Sequence, residues 1–153
     1  MTPTPRSQQR GETSDPRQCA CFNVRKAARA VTQLYDEILR PSGLRITQFS
    51  LLTVIHLTGT GNITDLAEAA VMDRTTLTRN LKLLADAGLI TIREGDDARV
   101  REVSLTAAGR ARLGAALPYW EKAQRRMTEA MGPARLERLL ADLSVAVAAG
   151  QAG

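Results

Sequence analysis

The sequence predicts a mainly α-helical fold carrying one small β-hairpin, and three patterns predict it. Apolar residues recur at three- and four-residue steps along most of the chain, which gives helices with one buried face. One stretch after residue 88 alternates instead and doubles back through Gly95-Asp96-Asp97, which is hairpin chemistry. The connections between these segments are short and carry Gly, Pro, Asn or Asp.

Taken in order, residues 1–17 are polar and Pro-containing and read as a disordered tail. From Cys21 to Leu39, the residues Val24, Ala28, Val31, Tyr35 and Ile38 line one helix face, ended by Pro41-Ser42-Gly43. Thr47 reads as the N-cap of a second helix, Gln48 to about Leu57, rich in Phe49, Leu51, Leu52 and Ile55. Gly59-Thr60-Gly61-Asn62 then breaks the chain. Thr64 caps a short helix from Asp65 to Ala70. Beyond Val71-Met72, Asp73 caps a longer helix that runs to about Ala87 and closes at Gly88.

Two strands follow, Leu89 to Arg93 and Val100 to Leu105, with Ile90 and Ile92 matched by Val103 and Leu105. A long helix from Thr106 to about Met131 sets Leu113, Leu117, Trp120, Met127 and Met131 on a seven-residue pattern, which suits a partner helix. Pro118 inside it removes one backbone donor and predicts a kink. Gly132-Pro133 opens a last helix striped by Leu136, Leu139, Leu140, Leu143 and Val147. The chain thus divides into a tail (1–17), an N-terminal helix (18–40), a central segment of helices and hairpin (44–106) and two C-terminal helices (107–149).

Composition narrows the class of function. With 153 residues, 44% hydrophobic and 24% charged, the chain is long enough for a real core and ordinary for a globular domain. A net charge of +5 favours polyanionic partners, because Lys and Arg release counterions from phosphates. Aromatics at 3% are too few for base-stacking platforms. Two cysteines one residue apart make no disulfide framework and suit a reducing, cytoplasmic location. No apolar run reaches the roughly 18 residues of a membrane span. Catalysis finds no support: there is no Gly-rich phosphate loop, nucleophile elbow or HExxH motif, and no cofactor is implied.

Short helix, tight turn, longer helix and hairpin is the order of a winged helix-turn-helix. With Leu77 inward, a 100° step per residue puts Thr75, Arg79 and Lys82 outward, flanked by Thr76 and Thr78. Hydroxyl and guanidinium groups are suitable donors to phosphates and base edges. On an isolated helix the same residues would read as a solvated face; the capped helix before and the charged hairpin after favour contact with double-stranded DNA. Count alone does not decide it, since residues 73–102 hold six basic and six acidic residues. Placement must, with acids capping behind and basic groups in front.

From Cys19 to Val147 the chain resembles the MarR family of regulators. The similarity is carried by Leu44-Arg45-Ile46-Thr47-Gln48-Phe49, Ile63-Thr64-Asp65-Leu66-Ala67, Arg74-Thr75-Thr76-Leu77-Thr78-Arg79 and Ala85-Asp86-Ala87-Gly88-Leu89-Ile90. Most specific is Asp97-Ala98-Arg99 followed by Val103-Ser104-Leu105-Thr106, which fits the family's wing pattern. The resemblance implies that Arg99 enters the minor groove, steadied by Asp97. Arg101 on the returning strand is a further candidate for DNA contact. It also implies a homodimer built from the first and last two helices, and a repressor released by a small-molecule effector or by thiol oxidation.

Cys21-Phe22 is similar to the sensing cysteine of the family's organic hydroperoxide regulators, and Tyr35 fits a tyrosine placed near that thiol. Ile46 departs from the pattern where a second tyrosine stands, and no distant resolving cysteine exists. Within one chain Cys19 takes that role only if the helix starts after it, since residues two apart on a helix point apart, and bridges between subunits stay open as the alternative. Against this stands a plain reading of Cys21 as a small interface hydrophobe. Metal binding by Cys19, Cys21 and the lone His56 falls short of four ligands. His56 and Trp120 are assigned to the border of an effector pocket, with core packing as the alternative. A protein-interaction module that never reads DNA is the competing function.

Overall fold

The computed structural model describes residues 15–59, 61–97 and 99–152, and the chain divides into two units after Gln33.

In the first unit Asp15 accepts the backbone N–H of Arg17 at 3.0 Å and caps a 3-10 turn, Pro16–Gln18. Proline suits the first turn because its missing N–H would have no partner there. The end of the expected tail is thus structured, residues 15–17 by this cap and an Asp15–Arg17 ion pair of 2.8 Å. Residues 1–14 of that tail lie outside the described residues. Cys19 is extended, and helix α1 (Ala20–Leu39) begins behind it. The Asn23 amide holds the junction, donating to the carbonyls of Arg17 and Cys19 at 2.9 Å each. Residues 16–33 are exposed, Phe22, Val24 and Val31 among them.

The second unit runs from the end of α1 through a 3-10 turn at Arg40–Ser42, closed by Gly43 at φ 75°. Then come α2 (Ile46–Thr58), β1 (Gly61–Asn62), α3 (Ile63–Ala70), α4 (Arg74–Asp86), β2 (Ile90–Glu94), β3 (Arg101–Leu105), α5 (Ala107–Met131) and α6 (Pro133–Gln151). Its core is a single cluster to which α1, α2, α3, α4 and β3 each contribute a fully buried side chain: Leu39, Leu52, Leu66, Leu81 and Val103. Each such aliphatic contributes about 1.5–3 kcal/mol through burial. Together they fix α4 and the sheet as one body.

The sheet is antiparallel in the order β1-β3-β2. Ile90 pairs with Leu105 and Ile92 with Val103, the match that their alternation predicts. β1 is an addition, since nothing in Gly59-Thr60-Gly61-Asn62 announces a strand. It forms because β3 offers a free edge, where Gly61 meets Val103 and Asn62 meets Glu102.

Two helix starts differ from expectation. α2 begins at Ile46 rather than after Thr47, because Asp36 on α1 accepts the Ile46 N–H at 2.7 Å and Gln48 accepts that of Arg45 at 3.0 Å. α3 is capped by Asn62 rather than Thr64: Asn62 accepts the Asp65 N–H at 2.8 Å and donates its amide to the Asp65 carboxylate at 2.7 Å. α5 runs through Pro118 to Met131, and α6 has no buried residue.

Candidate nucleic-acid interface

α4 is anchored by Leu77, Leu81 and Leu84, each fully buried, so its other face is the exposed one. Thr75, Thr78, Arg79 and Lys82 lie along a shallow groove on that face, joined by Arg74 from the first turn. Thr76 is exposed too, but its hydroxyl donates to Asp73 at 2.6 Å while its N–H donates to the other carboxylate oxygen at 2.9 Å. Thr76 therefore serves the cap as well as the face. These bonds, the hydroxyl first, hold the Asp73 carboxyl below its ordinary range. Lys82 is paired with Asp86 at 2.7 Å, so its charge is balanced in place.

The turn before α4 is tight for a specific reason. Val71 adopts the left-handed region at φ 51°, its N–H bonding to the Glu68 carbonyl at 3.1 Å and that of Met72 to Ala67 at 2.9 Å. These bonds satisfy the last carbonyls of α3 and turn the chain at once into the next cap.

The wing is closed by Gly95 N–H to the Val100 carbonyl at 2.7 Å and Val100 N–H to the Asp97 carbonyl at 2.8 Å. Asp97 accepts the backbone N–H of Arg99 at 3.0 Å. It thus steadies the loop at Arg99 through the main chain, and among the described residues no ion pair engages the Arg99 guanidinium. On the wing's stem Glu94 stands opposite Arg101, and Arg93 opposite Glu102. Opposite charges facing across strands favour this register.

Thr106 ties the wing's root to the rest. Its hydroxyl donates to the Gly88 carbonyl at 2.7 Å and accepts the Gly109 N–H at 2.9 Å, while its own N–H reaches the Leu89 carbonyl at 3.1 Å. One residue thereby joins the end of α4, the entry to β2 and the start of α5.

A second feature lies between α2 and α5, a cavity of about 250 Å³ with Phe49, Thr53, His56, Arg110, Leu113 and Leu117 among its walls. His56 is among its lining residues. Trp120 stands behind that wall, stacked on Phe49 with ring centroids 5.9 Å apart. Arg110 also donates to the Leu105 carbonyl at 3.0 Å, linking the cavity to the end of the wing.

The remaining predicted residues are placed separately. The Tyr35 hydroxyl donates to the Gln124 side chain, and burial raises its phenol above the ordinary range. Cys19 and Cys21 are exposed free thiols on either side of the first residue of α1. Arg74 is missing from the sequence-derived contacts because, three residues before Leu77, its helical angle lies nearer the buried side of α4 than the outward stripe. Among the described residues no cluster of His, Cys, Asp or Glu suits a metal, and no helix is long and apolar enough to cross a membrane.

A helix-turn-helix with a wing defines a class of nucleic-acid-binding regulators, and the comparisons agree with it. The MarR family model matches residues 44–100. The transcriptional regulator MosR of M. tuberculosis, solved in complex with DNA, is 44% identical with a TM-score of 0.78, over 88% of this chain and 99% of that one. Another MosR crystal structure is 41% identical at TM-score 0.74, over 86% and 97%. A probable transcriptional regulator from Pseudomonas aeruginosa is 28% identical at TM-score 0.76, over 84% and 96%. No curated protein matches the chain. The chain belongs to the MarR family of transcriptional regulators.

Proposed function

We infer that this regulator acts in the cytoplasm as a homodimer that grips duplex DNA, laying α4 in the major groove and the wing in the flanking minor groove. It has no catalytic role in this reading. One observation carries it: the outward groove of Thr75, Thr78 and Arg79 and the wing tip at Arg99 are held by one shared core. Arg79 and the threonine hydroxyls address base edges, while Arg99 enters the narrow, strongly negative minor groove. Arg101 and Lys82 contact phosphates, Lys82 after yielding part of its bond to Asp86. Thr76 and Asp97 hold the two reading elements in shape.

The dimer follows from apolar faces left uncovered in one chain. α6 exposes Leu140, Leu143, Val145 and Val147, and α1 exposes Phe22, Val24 and Val31. A second copy covers such stripes and sets two recognition helices about one DNA turn apart.

Repression is released when that spacing changes. The cavity at His56 suits a small apolar molecule with an acidic group, since its walls are mostly apolar and Arg110 supplies a positive charge. Exposure of Cys19 and Cys21, with Cys19 outside the helix, supports a second route. The Cys21 thiolate attacks a hydroperoxide, releasing an alcohol and leaving a sulfenic acid. The Cys19 thiol then displaces water from that sulfur to form the Cys19–Cys21 disulfide. Bridging them strains the start of α1. In this chain the Tyr35 hydroxyl, engaged by Gln124, acts on α1–α5 packing.

The test is binding of genomic fragments by the purified protein, titrated with salt, before and after peroxide. A salt-sensitive palindromic footprint that dissolves on oxidation and returns with reductant supports regulator and sensor together. Binding indifferent to peroxide keeps the regulator and assigns release to the cavity. Absence of any specific footprint at low salt refutes the reading and favours a protein-interaction module.

A further inference from the structure

Beneath the wing a cleft of about 320 Å³ separates the first turn of α3 from the wing's stem, and Arg74, Arg99 and Arg101 all border it. Among the described residues none of these three guanidinium groups makes an ion pair or donates a side-chain hydrogen bond. Like charges gathered around one hollow repel, and the repulsion is relieved when an anion enters. The one acid on the rim, Asp65, has its carboxylate occupied by the Asn62 amide. Arg74 also borders the groove of Thr75, Thr78 and Arg79, so one side chain lies between the cleft and the outward face of α4.

We propose that this cleft seats one backbone phosphate of the bound duplex, with Arg74 and Arg101 as its holders and Arg99 passing over it toward the minor groove. A guanidinium fork suits a phosphodiester, giving two parallel bonds to its non-bridging oxygens. The seat carries no sequence information. It sets how deeply α4 enters the groove and how the wing is angled, which positions the side chains that do read bases. The proposal rests on the DNA-binding reading above and adds Arg74 to it.

Salt titration of binding separates the two. The probes are a footprinted genomic fragment and a random-sequence duplex of equal length; the variants are Arg74→Gln, Arg74→Lys and Arg79→Gln. If Arg74 holds a phosphate in each protomer, Arg74→Gln lowers the slope of log affinity against log salt by about 1.8, near 0.9 per contact. The advantage of the wild type over Arg74→Gln then shrinks about twelvefold between roughly 50 and 200 mM salt, by the same factor on both duplexes. Arg74→Lys keeps the charge and restores most of the slope, which a structural role would not. Arg79→Gln narrows the preference for the fragment over the random duplex instead.

An unchanged slope in Arg74→Gln, with Arg79→Gln still losing specificity, overturns the phosphate seat and leaves the regulator standing. Loss confined to the specific fragment also overturns it, by making Arg74 a base reader. A wild type that ignores both duplexes removes the seat together with the DNA-binding reading.

Discussion

Gly109 packs so closely under Leu89 that a methyl on its Cα would fall 1.9 Å from the Leu89 carbonyl oxygen. That same oxygen accepts the Thr106 N–H, so the entry to the wing and the start of α5 meet at one backbone atom. A glycine is required here for space, and the approach is what lets Thr106 reach the end of α4. Gly109→Ala should force the two apart and destabilise the fold by about 1–3 kcal/mol. Denaturant unfolding reads this as a lower midpoint with little change in slope, and DNA affinity should fall with it. A variant as stable as the wild type would mean that the contact yields without cost.

Val71 is the only residue other than glycine at positive φ among those described, and it is β-branched and exposed. An L side chain in the left-handed region costs about 1–2 kcal/mol, and glycine adopts it freely. Part of that gain is lost to the greater freedom of glycine in the unfolded chain. Val71→Gly should therefore stabilise the protein by about 0.5–1 kcal/mol, measured by thermal and denaturant unfolding, with DNA affinity unchanged. A loss of stability would show that the exposed valine makes contacts worth more than its strain.

Arg99→Ala should reduce affinity for a footprinted fragment by about tenfold to a hundredfold while leaving the dimer intact by sedimentation. Asp97→Ala should do less, because Asp97 acts on the main-chain N–H of Arg99 and the strand pairing below keeps the loop in place. Equal losses in both variants would mean that the loop's shape is the whole of the wing's contribution.

Tyr35 carries a pH signature. Burial raises its phenol above the ordinary 10.0, so the folded state keeps the proton at a pH where the unfolded chain gives it up. Its contribution is fully present below the unfolded value and declines as pH rises through the folded one. Melting temperature should drop above about pH 10, and Tyr35→Phe should flatten that limb while losing the bond to Gln124 at neutral pH. An unaltered alkaline limb in the variant would assign the transition to other groups.

Much of the candidate interface was legible in the chain. Leu77, Leu81 and Leu84 fix which side of α4 is buried, and helical geometry then places Thr75, Arg79 and Lys82 without further information. The alternation of Ile90, Ile92, Val103 and Leu105 fixes the hairpin register for the same kind of reason, since a one-residue slip would expose all of them. Periodicity is a local property, and it survives whatever the rest of the molecule does.

What the tertiary structure alone decided concerns partners distant in sequence. Asp36 moves the start of α2 back to Ile46, and the edge of β3 turns Gly61-Asn62 into a strand. Gln124 engages Tyr35, Phe49 takes Trp120, and Arg74 joins Arg99 and Arg101 around one cleft. The sequence by itself determined which faces are apolar and which polar side chains α4 turns away from its buried leucines. Only packing decided which backbone groups find acceptors from outside their own element, which hydroxyls are committed and which charges meet, because these depend on distances set by the whole core.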